Sequence, residues 1–572
     1  MTNYVYTVAN QPAPKTAADD HGVNLGNFDS LYLGEGAIIQ ASGTGAHGVN
    51  VTNNSEITIM GSVIANGPGS AGRGVMLNGS SSNVYIGKTG SLYGAVASVY
   101  IDGTGQNVIH NDGTLRSDNF GIFAKSSGNK IINTGTISGI TGISSDGAIE
   151  VINTGVIAAS SWALISSNGN DKIINRGSIM GGSIYLGGGN DLYDSRDGKY
   201  SGQVILGLGD DTAYGGSGDE RFVSEGGSKF IDGGGGIDTL EFWRGGNLTI
   251  NLNITGLQIT DGQQFSIRNV ENIIAWDGKD LLIGNGADNF LYGVTGNDTL
   301  EGGLGDDILN GGNHVDTAQY SGSAAAVVDL SIAGPQHTGG YGFDTLIDIE
   351  NLSGGSGADY FTGNAGANIL SGNGGNDVLR GGDGDDTLNG GAGIDTAVYA
   401  SAVSVNLTSG IATTLAEGKD TLIGIENISG SGASDTLTGN TGVNTLRGNA
   451  GNDMINGGKG NDILYGGAGK DSFVFNTAPS SANKDLIKDW VAKDDTIRLE
   501  NAVFKALTKT GTLSKSFFVL GAKALDGNDF VGYNKTTGDL WYDSNGNKSG
   551  GQVSFANIGK NKAFSHLDVI IF

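Results

Sequence analysis

The sequence has no cysteine, only 5 prolines and no apolar stretch long enough to cross a bilayer. Without cysteine, a disulfide framework and a thiolate metal site are both excluded. Without a long apolar stretch, no membrane-spanning helix is expected. The first twenty residues also lack the basic start and apolar core of a cleaved signal peptide, so no N-terminal export signal is expected.

Basic residues are scarce as well. Lysine and arginine number 32 against 59 aspartates and glutamates, which gives a formal net charge of -27. Such a chain repels nucleic acids and anionic membrane surfaces and attracts cations. Glycine is abundant, with 103 of 572 residues, yet no collagen-like period accompanies it. A hydrophobic fraction of 37% is too high for a disordered chain, so a packed, glycine-rich architecture is indicated.

Three arrays of five nonapeptides occupy the middle of the chain. Each repeat carries aspartate or asparagine at its sixth position, and the second repeat of every array carries asparagine. These positions are Asp280, Asn289, Asp298, Asp307 and Asp316; Asp359, Asn368, Asp377, Asp386 and Asp395; and Asp435, Asn444, Asp453, Asp462 and Asp471. Two residues later the side chain is Leu, Ile or Phe in 13 of 15 repeats. The exceptions, Ala318 and Ala397, are each followed two residues later by a tyrosine.

A longer module contains the short repeat. Glu271, Glu350 and Glu426, each followed by Asn and an aliphatic residue, precede the arrays at separations of 79 and 76 residues. Alternating small and apolar residues between the arrays predict strands. Upstream, the nine-residue spacing continues at Asp211, Glu220, Lys229 and Asp238, although the two middle positions are not aspartate. Asp191 lies in a similar motif that is out of phase with this series.

The nonapeptide GGDGDDTLN, residues 381–389, explains what the repeat could bind. Glycines at positions one, two and four allow tight turns with inward-pointing carbonyls. The aspartate at position six adds a charged oxygen, and the following strand directs its central leucine into the core. Calcium takes six to eight oxygen ligands, many of them carbonyls, whereas magnesium requires a stricter octahedron. Zinc is disfavoured because the motif offers no sulfur or imidazole.

This pattern resembles the RTX calcium-binding repeat family, G-G-x-G-x-D-x-U-x. The resemblance implies a parallel β-roll with two nonapeptides per turn and calcium bridging repeats n and n+2, on the order of nine or more ions in all. Asn289, Asn368 and Asn444 are then weaker ligands, or lie where a shell is incomplete. The expected ligands are Asp238, Asp280, Asp298, Asp307, Asp316, Asp359, Asp377, Asp386, Asp395, Asp435, Asp453, Asp462 and Asp471, with weaker positions at Asp191, Asp211, Asn289, Asn368 and Asn444.

Residues 1–185 repeat differently. Asn-x-Gly turns at Asn111, Asn133, Asn153 and Asn175 recur every 20 to 22 residues between short Val/Ile strands. This period is typical of one coil of a parallel β-solenoid, in which asparagine tolerates left-handed turns and can stack in ladders.

The C-terminal residues 472–572 resemble the C-terminal regions of RTX proteins that type I systems export. The stretch after Phe475 loses the repeats, and the chain ends in HLDVIIF. The resemblance implies an uncleaved export signal and a type I exporter as partner. The alternative is a plain β-rich cap.

No catalytic constellation is recognisable. There is no HExxH motif, so a zinc protease of that type is excluded. Tyr341–Asp344 matches the first letters of a C5-epimerase motif but aligns internally with residues 419–427, so we interpret it as a spacer strand. Phe120 and Trp162 share one offset from their Asn-x-Gly turns and form either a core stack or a sugar-stacking platform.

The sequence therefore predicts an all-β protein: a parallel β-solenoid, then calcium-bound parallel β-rolls, then a β-rich C-terminal cap. The predicted domains are 1–185, solenoid; 186–242, degenerate repeats; 243–319, 320–398 and 399–474, each a spacer with a full array; and 475–572, cap and export signal. The predicted function is a secreted calcium-binding protein of a surface, matrix or adhesion type, with an extracellular polysaccharide as a possible partner. The alternative is a carbohydrate-active enzyme, a polysaccharide lyase, epimerase or glycanase, with its site on the solenoid.

Overall fold

The computed structural model describes residues 1–10, 12–13, 21–67 and 72–572. Within these ranges the chain forms β-strands and two short 3-10 turns, Lys515–Phe517 and His566–Asp568. None of the described helices is long or apolar enough to cross a membrane. The described residues divide into two compact units, Met1–Asp298 and Thr299–Phe572. The predicted all-β class with parallel solenoid coils is confirmed.

The unit Met1–Asp298 is a parallel solenoid whose successive coils pair strand on strand. One sheet begins at its N-terminus and continues, parallel and in order, to Gln263–Arg268. Its strands are Asn3–Tyr6, Ser30–Leu33, Glu56–Ile59, Asn83–Ile86, Val108–Asn111, Asn129–Asn133, Ile149–Asn153, Lys172–Asn175, Leu192–Asp194, Asp211–Tyr214, Lys229–Asp232 and Gln263–Arg268. Their inward side chains, such as Ile109, Ile131 and Val151, are fully buried.

The predicted asparagine stacking is present inside these coils. Asn111 donates to Oδ1 of Asn133 at 2.7 Å, Asn133 to Asn153 at 2.7 Å, and Asn153 to Asn175 at 2.8 Å. All four side chains are buried. Their backbones are not left-handed, because each asparagine is the last residue of a strand. The turn is made by the two residues that follow the asparagine, and the second of them, glycine, packs closely on the glycine of the preceding coil.

Other strands of the same coils form a second face. They include Ala97–Ile101, Phe120–Ala124, Thr136–Ser145 and Val156–Ser166, and the face continues through Ser183–Tyr185, Gln203–Leu208, Arg221–Gly226 and Thr239–Phe242. Strand pairing thus runs past residue 185 without interruption. The boundary predicted there separates two sequence patterns within one continuous run of coils.

In the unit Thr299–Phe572 alternate nonapeptides pair with each other. In the second array, Tyr360–Thr362, Val378–Arg380 and Thr396–Val398 pair in one sheet, while Ile369–Ser371 and Thr387–Asn389 pair in another. The third array pairs Thr436–Thr438, Met454–Asn456 and Ser472–Phe475, and separately Thr445–Ala450 with Ile463–Ala468. Two nonapeptides therefore make one turn, as the resemblance implies. The apolar residue of every repeat in the three arrays is 0% exposed.

Spacers and the C-terminal region continue these sheets. The spacer strands Val403–Asn406, Ile411–Thr414 and Lys419–Ile423 form an antiparallel meander whose ends join the parallel stack. After the third array, Asp485–Ile487 and Thr496–Leu499 add one more strand to each sheet. The strands Val531–Asn534, Asp539–Asp543 and Gln552–Asn557 then form an antiparallel sheet, and Val569–Ile571 pairs with Thr496–Leu499.

Candidate metal centres

The nonapeptide loops need glycine for two different reasons. In residues 381–386, Gly382 and Gly384 have φ of +98° and +118°, a region that favours glycine. Gly381 lacks a positive φ, but a Cβ added there would meet Oδ2 of Asp386. The same relation holds between Gly457 and Asp462. Position one of the motif is therefore glycine because it leaves room for the carboxylate of its own loop.

One oxygen of each carboxylate joins successive coils into a ladder. Oδ1 of Asp386 accepts from the backbone N–H of Asn368 at 2.8 Å, and Asp377, Asp395, Asp453, Asp462 and Asp471 follow the same rule across 18 residues. The other pairs, each given as backbone N–H donor and Oδ1 acceptor, are Asp359 to Asp377, Asp377 to Asp395, Asp435 to Asp453, Asn444 to Asp462, Asp453 to Asp471 and, in the other unit, Asp280 to Asp298 and Glu220 to Asp238. In this carboxylate ladder each of these aspartates uses the same oxygen, Oδ1, to bond the backbone of the preceding coil.

The second oxygen of many of these carboxylates has no hydrogen-bond partner although it is buried. This holds for Asp191, Asp238, Asp280, Asp377, Asp386, Asp395, Asp453, Asp462 and Asp471. Burial raises the pKa of Asp386 and of Asp462 to about 6. An acceptor-only oxygen in such a place is costly unless a cation or proton compensates it.

The loops also bring backbone oxygens together: a Cβ added at Gly448 would meet both Oδ2 of Asp453 and the carbonyl of Gly466. The Gly366 carbonyl of one loop faces Gly384 of the next, and the Gly357 carbonyl faces Gly375. Within the described residues, no three or more His, Cys, Asp or Glu side chains form a group that could hold a metal. A shell built mainly from carbonyls with a minority of carboxylates suits calcium, which accepts both kinds of oxygen.

The asparagine positions differ from the aspartates. Asn368 accepts at Oδ1 from the N–H of Asn364 at 2.8 Å and donates from Nδ2 to the carbonyl of Glu350 at 2.6 Å. Asn444 repeats both contacts with Asn440 and Glu426, at 2.8 Å each. The amide thus uses its oxygen and its nitrogen within the protein.

The other predicted residues also lie in the stacked loops. Asp298, Asp307 and Asp316 are buried at their ladder positions. Oδ2 of Asp359 accepts from the N–H of Gly355 at 3.1 Å, and Oδ2 of Asp435 from that of Ser431 at 2.6 Å. Both residues belong to the first repeat of an array, where Oδ1 instead accepts from Ala326 and Val403 respectively. Asp211 lies in an upstream loop and pairs with Lys229 at 2.9 Å.

The repeated spacing of Glu271, Glu350 and Glu426 has a structural explanation. Each accepts at Oε2 from the N–H of the aspartate that ends the preceding series: Asp238 at 2.8 Å, Asp316 at 2.8 Å and Asp395 at 2.9 Å. The glutamate thereby continues the ladder across the change of array.

Sequence analysis missed four further members of the ladder. Asp344 accepts from the N–H of Asp307 at 3.1 Å, and Asp420 from that of Asp386 at 3.2 Å. Asp485 and Asp495 do the same for Asp462 and Asp471, at 3.1 and 3.3 Å. One signal was available: residues 339–344 read GGYGFD, a complete motif out of phase with the arrays. Asp485 and Asp495 have no glycine-rich loop to mark them.

Comparison with known families agrees with this geometry. The RTX calcium-binding nonapeptide repeat family matches residues 205–240, 283–317, 338–370, 347–379, 362–397, 420–453 and 438–473. These are RTX repeats. They bind calcium, and their number indicates several ions. The match beginning at residue 338 includes the GGYGFD loop that sequence analysis assigned to a spacer.

Beyond the RTX repeats the comparisons give little. No curated protein matches the chain. Among solved structures the chain is similar to the extracellular lipase LipA from Serratia marcescens, with 18% identity over 38% of this chain and a TM-score of 0.13. The aligned part spans 40% of the length of that lipase.

Proposed function

We propose that calcium ions bind between successive loops of each ladder, held by the free carboxylate oxygens and the glycine carbonyls. The buried, unpartnered Oδ2 atoms, repeated in one orientation from loop to loop, are the observation that supports this most directly. The proposed ligands are the aspartates predicted from the sequence other than Asp211, whose Oδ2 is paired with Lys229, with Asp420 added because it continues the same ladder. Asp344 also continues the ladder, but its Oδ2 already accepts from the Thr338 hydroxyl at 2.8 Å. Bound calcium supplies the positive charge that these acceptor-only oxygens lack.

The asparagines are proposed to start each new ladder segment rather than bind an ion. Their amides are already satisfied by backbone groups, which supports an incomplete shell at these positions. In the full-length chain, Asp386→Ala should lower the number of bound calcium ions, measured by equilibrium dialysis. Asn368→Ala is the matched control and should leave that number unchanged. Equal losses would contradict the assignment.

We infer that the protein is secreted by a type I system and folds when it meets extracellular calcium. Binding available only to the folded state adds to its stability, so submicromolar calcium should leave the arrays unfolded and millimolar calcium should fold them. The C-terminal resemblance to exported RTX proteins supports the exporter. Fusion of residues 472–572 to a slow-folding passenger, expressed with a type I exporter, tests it. Retention of the passenger inside the cell would contradict it.

An adhesive or matrix role with polysaccharide as partner is the biological function we propose. Phe120 and Trp162 are half-buried and in register two coils apart. Phe120 packs against the buried cluster of Met76, Ala97 and Tyr100, and Trp162 contacts Tyr185 with ring centroids 6.3 Å apart, so each ring keeps only part of its surface available to a ligand. Two coils place such rings about 10 Å apart along the solenoid, a spacing compatible with stacking on a sugar chain. Trp162→Ala should abolish binding to the polysaccharide that retains the unsubstituted protein in affinity electrophoresis, whereas Tyr32→Ala should not.

The rival enzyme is less well supported by the charged groups of the same coils. Hydrogen bonds from Thr134 and Tyr85 lower the pKa of Asp112, and Lys130 and Lys172 lower that of Glu150. A general acid requires a raised pKa instead. Turnover of any polysaccharide by the full chain, lost in Asp112→Asn, would favour the enzyme.

A further inference from the structure

Upstream of the full arrays, one stack of loops ends in a lysine. Asp171 donates its N–H to Oδ1 of Asp191 at 2.7 Å, and Asp191 donates to Asp211 at 2.8 Å. This is the ladder geometry of the arrays. The next loop in the stack has Lys229 at the position of the aspartate, paired in register with Asp211, and the coil after it has Phe265 there.

The Lys229 loop stacks as the array loops do. A Cβ added at Gly227 would meet the carbonyl of Gly209, just as one at Gly384 would meet the carbonyl of Gly366. Gly209 itself faces the carbonyl of Gly189 in the preceding loop. The backbone of the Asp211 and Lys229 loops therefore encloses the same kind of space as a pair of array loops.

The Lys229 ammonium occupies this space. Nζ donates to the carbonyl of Gly209 at 2.6 Å, to the carbonyl of Gly226, and contacts Oδ2 of Asp211 at 2.9 Å. One carbonyl comes from each loop and the carboxylate from the first. The side chains of Lys229 and Asp211 are both 0% exposed. Three N–H donors thus meet three oxygens in the interior, which is the full donor capacity of an ammonium group.

We propose that Lys229 is a built-in cation that replaces calcium between the Asp211 and Lys229 loops. This junction consequently holds together at any calcium concentration, and it ends the upstream stack without an ion. Because removing one partner of a buried ion pair leaves the other charge uncompensated, the lysine can be exchanged only for something that restores a cation. A carboxylate at residue 229 should do so by admitting calcium, whereas a carboxamide, which brings no charge, should not.

The test compares calcium counts in full-length variants. Lys229→Asp should bind one calcium ion more than the unsubstituted chain, and Lys229→Asn, which offers only a neutral oxygen, should add no ion. Lys172→Asp is the matched control, since Lys172 is half-exposed, pairs with Glu150 in a surface contact and lies outside these loops. It should add no ion. An unchanged count in Lys229→Asp, or failure of that variant to fold in millimolar calcium, would overturn the proposal.

Hydrogen exchange provides a second reading. In Lys229→Met, the hydrogen-exchange protection factors of the amides of residues 229–232 should fall about 100-fold, both with calcium and with a chelator, because no cation then neutralises Asp211. In Lys229→Asp the loss should appear only with chelator. The inference rests on the proposed calcium sites, but the two fail differently. If the unsubstituted chain binds no calcium, the proposed function is wrong, whereas calcium in the arrays without a gain in Lys229→Asp contradicts this inference alone.

Discussion

The asparagine ladder and the carboxylate ladder solve the same problem with different consequences. Both connect parallel coils through a buried polar side chain. An amide carries a donor and an acceptor, so Asn133 receives a hydrogen bond from Asn111 and gives one to Asn153. A carboxylate only accepts, so Asp386 satisfies one oxygen with a backbone N–H and leaves the other open. Within the amide ladder each neighbouring pair is satisfied by its own groups, and Oδ1 of Asn111, at the first position, is left without a partner. The carboxylate ladder leaves an oxygen open in loop after loop and therefore requires a cation.

Removal of calcium should separate the two ladders most strongly. With chelator, amides of Thr387–Asn389 should lose nearly all hydrogen-exchange protection, because the stacked carboxylates are then uncompensated. Amides of Ile149–Asn153 should keep theirs. Equal loss in both segments would show that the asparagine coils are not independently stable.

Acid should partly replace calcium. Burial raises the pKa of Asp377, Asp386, Asp453 and Asp462 to about 6, above the usual value of 3.8. A raised pKa gives stability that is complete below the unfolded-state value and is lost as pH rises through the folded-state value. When a chelator has removed calcium, the midpoint temperature of thermal unfolding of the arrays should therefore be higher at pH 4.5 than at pH 7.5. With millimolar calcium the order should reverse, since protons compete with the ion.

Conversion of one ladder into the other should fail. Asn133→Asp removes the donor that bonds Asn153 and places a carboxylate opposite the Asn153 oxygen. We expect a loss of about 3–5 kcal/mol in stability, because the new carboxylate oxygen would also face the carbonyls of Gly135 and Val156, to which Asn133 Nδ2 donates at 3.3 and 3.1 Å. These oxygens lie too close together to hold a calcium ion between them, so calcium should not relieve the loss. Asn133→Ser, which keeps a donor, should lose less. Urea unfolding with and without calcium measures both.

The glycine beside the carboxylate should show a smaller effect. Gly381→Ala places a Cβ against Oδ2 of Asp386 and should cost about 1–3 kcal/mol while weakening calcium binding. Gly432→Ala, in a loop of the third array, is the control because nothing lies within 4 Å of its added Cβ. Similar losses in the two variants would mean that the alanine acts through the unfolded chain.

Much of this could be predicted from the sequence because the repeat is itself a structural unit. The nine-residue phase identified Asp386 and its equivalents, and the 21-residue period identified the Asn111 ladder. The nine-residue phase could not identify Asp485 or Asp495, since the segments that connect them to the third array differ in length from the nonapeptide. The nine-residue phase could not identify the role of Asn368 either. An asparagine in place of aspartate is compatible both with an amide that binds an ion and with one that bonds a backbone carbonyl.

Because successive repeats alternate between two sheets, odd- and even-numbered repeats of an array lie in different sheets. The N–H of each ladder aspartate reaches a partner two repeats away, and Glu426 meets Asp395, the fifth repeat, on one ladder only. Insertion of a single nonapeptide would shift every later repeat to the opposite sheet and leave that glutamate facing the wrong loop. Insertion of two would restore the order. An array can therefore gain or lose repeats with its spacers unchanged only in steps of eighteen residues, which is the separation of ladder partners.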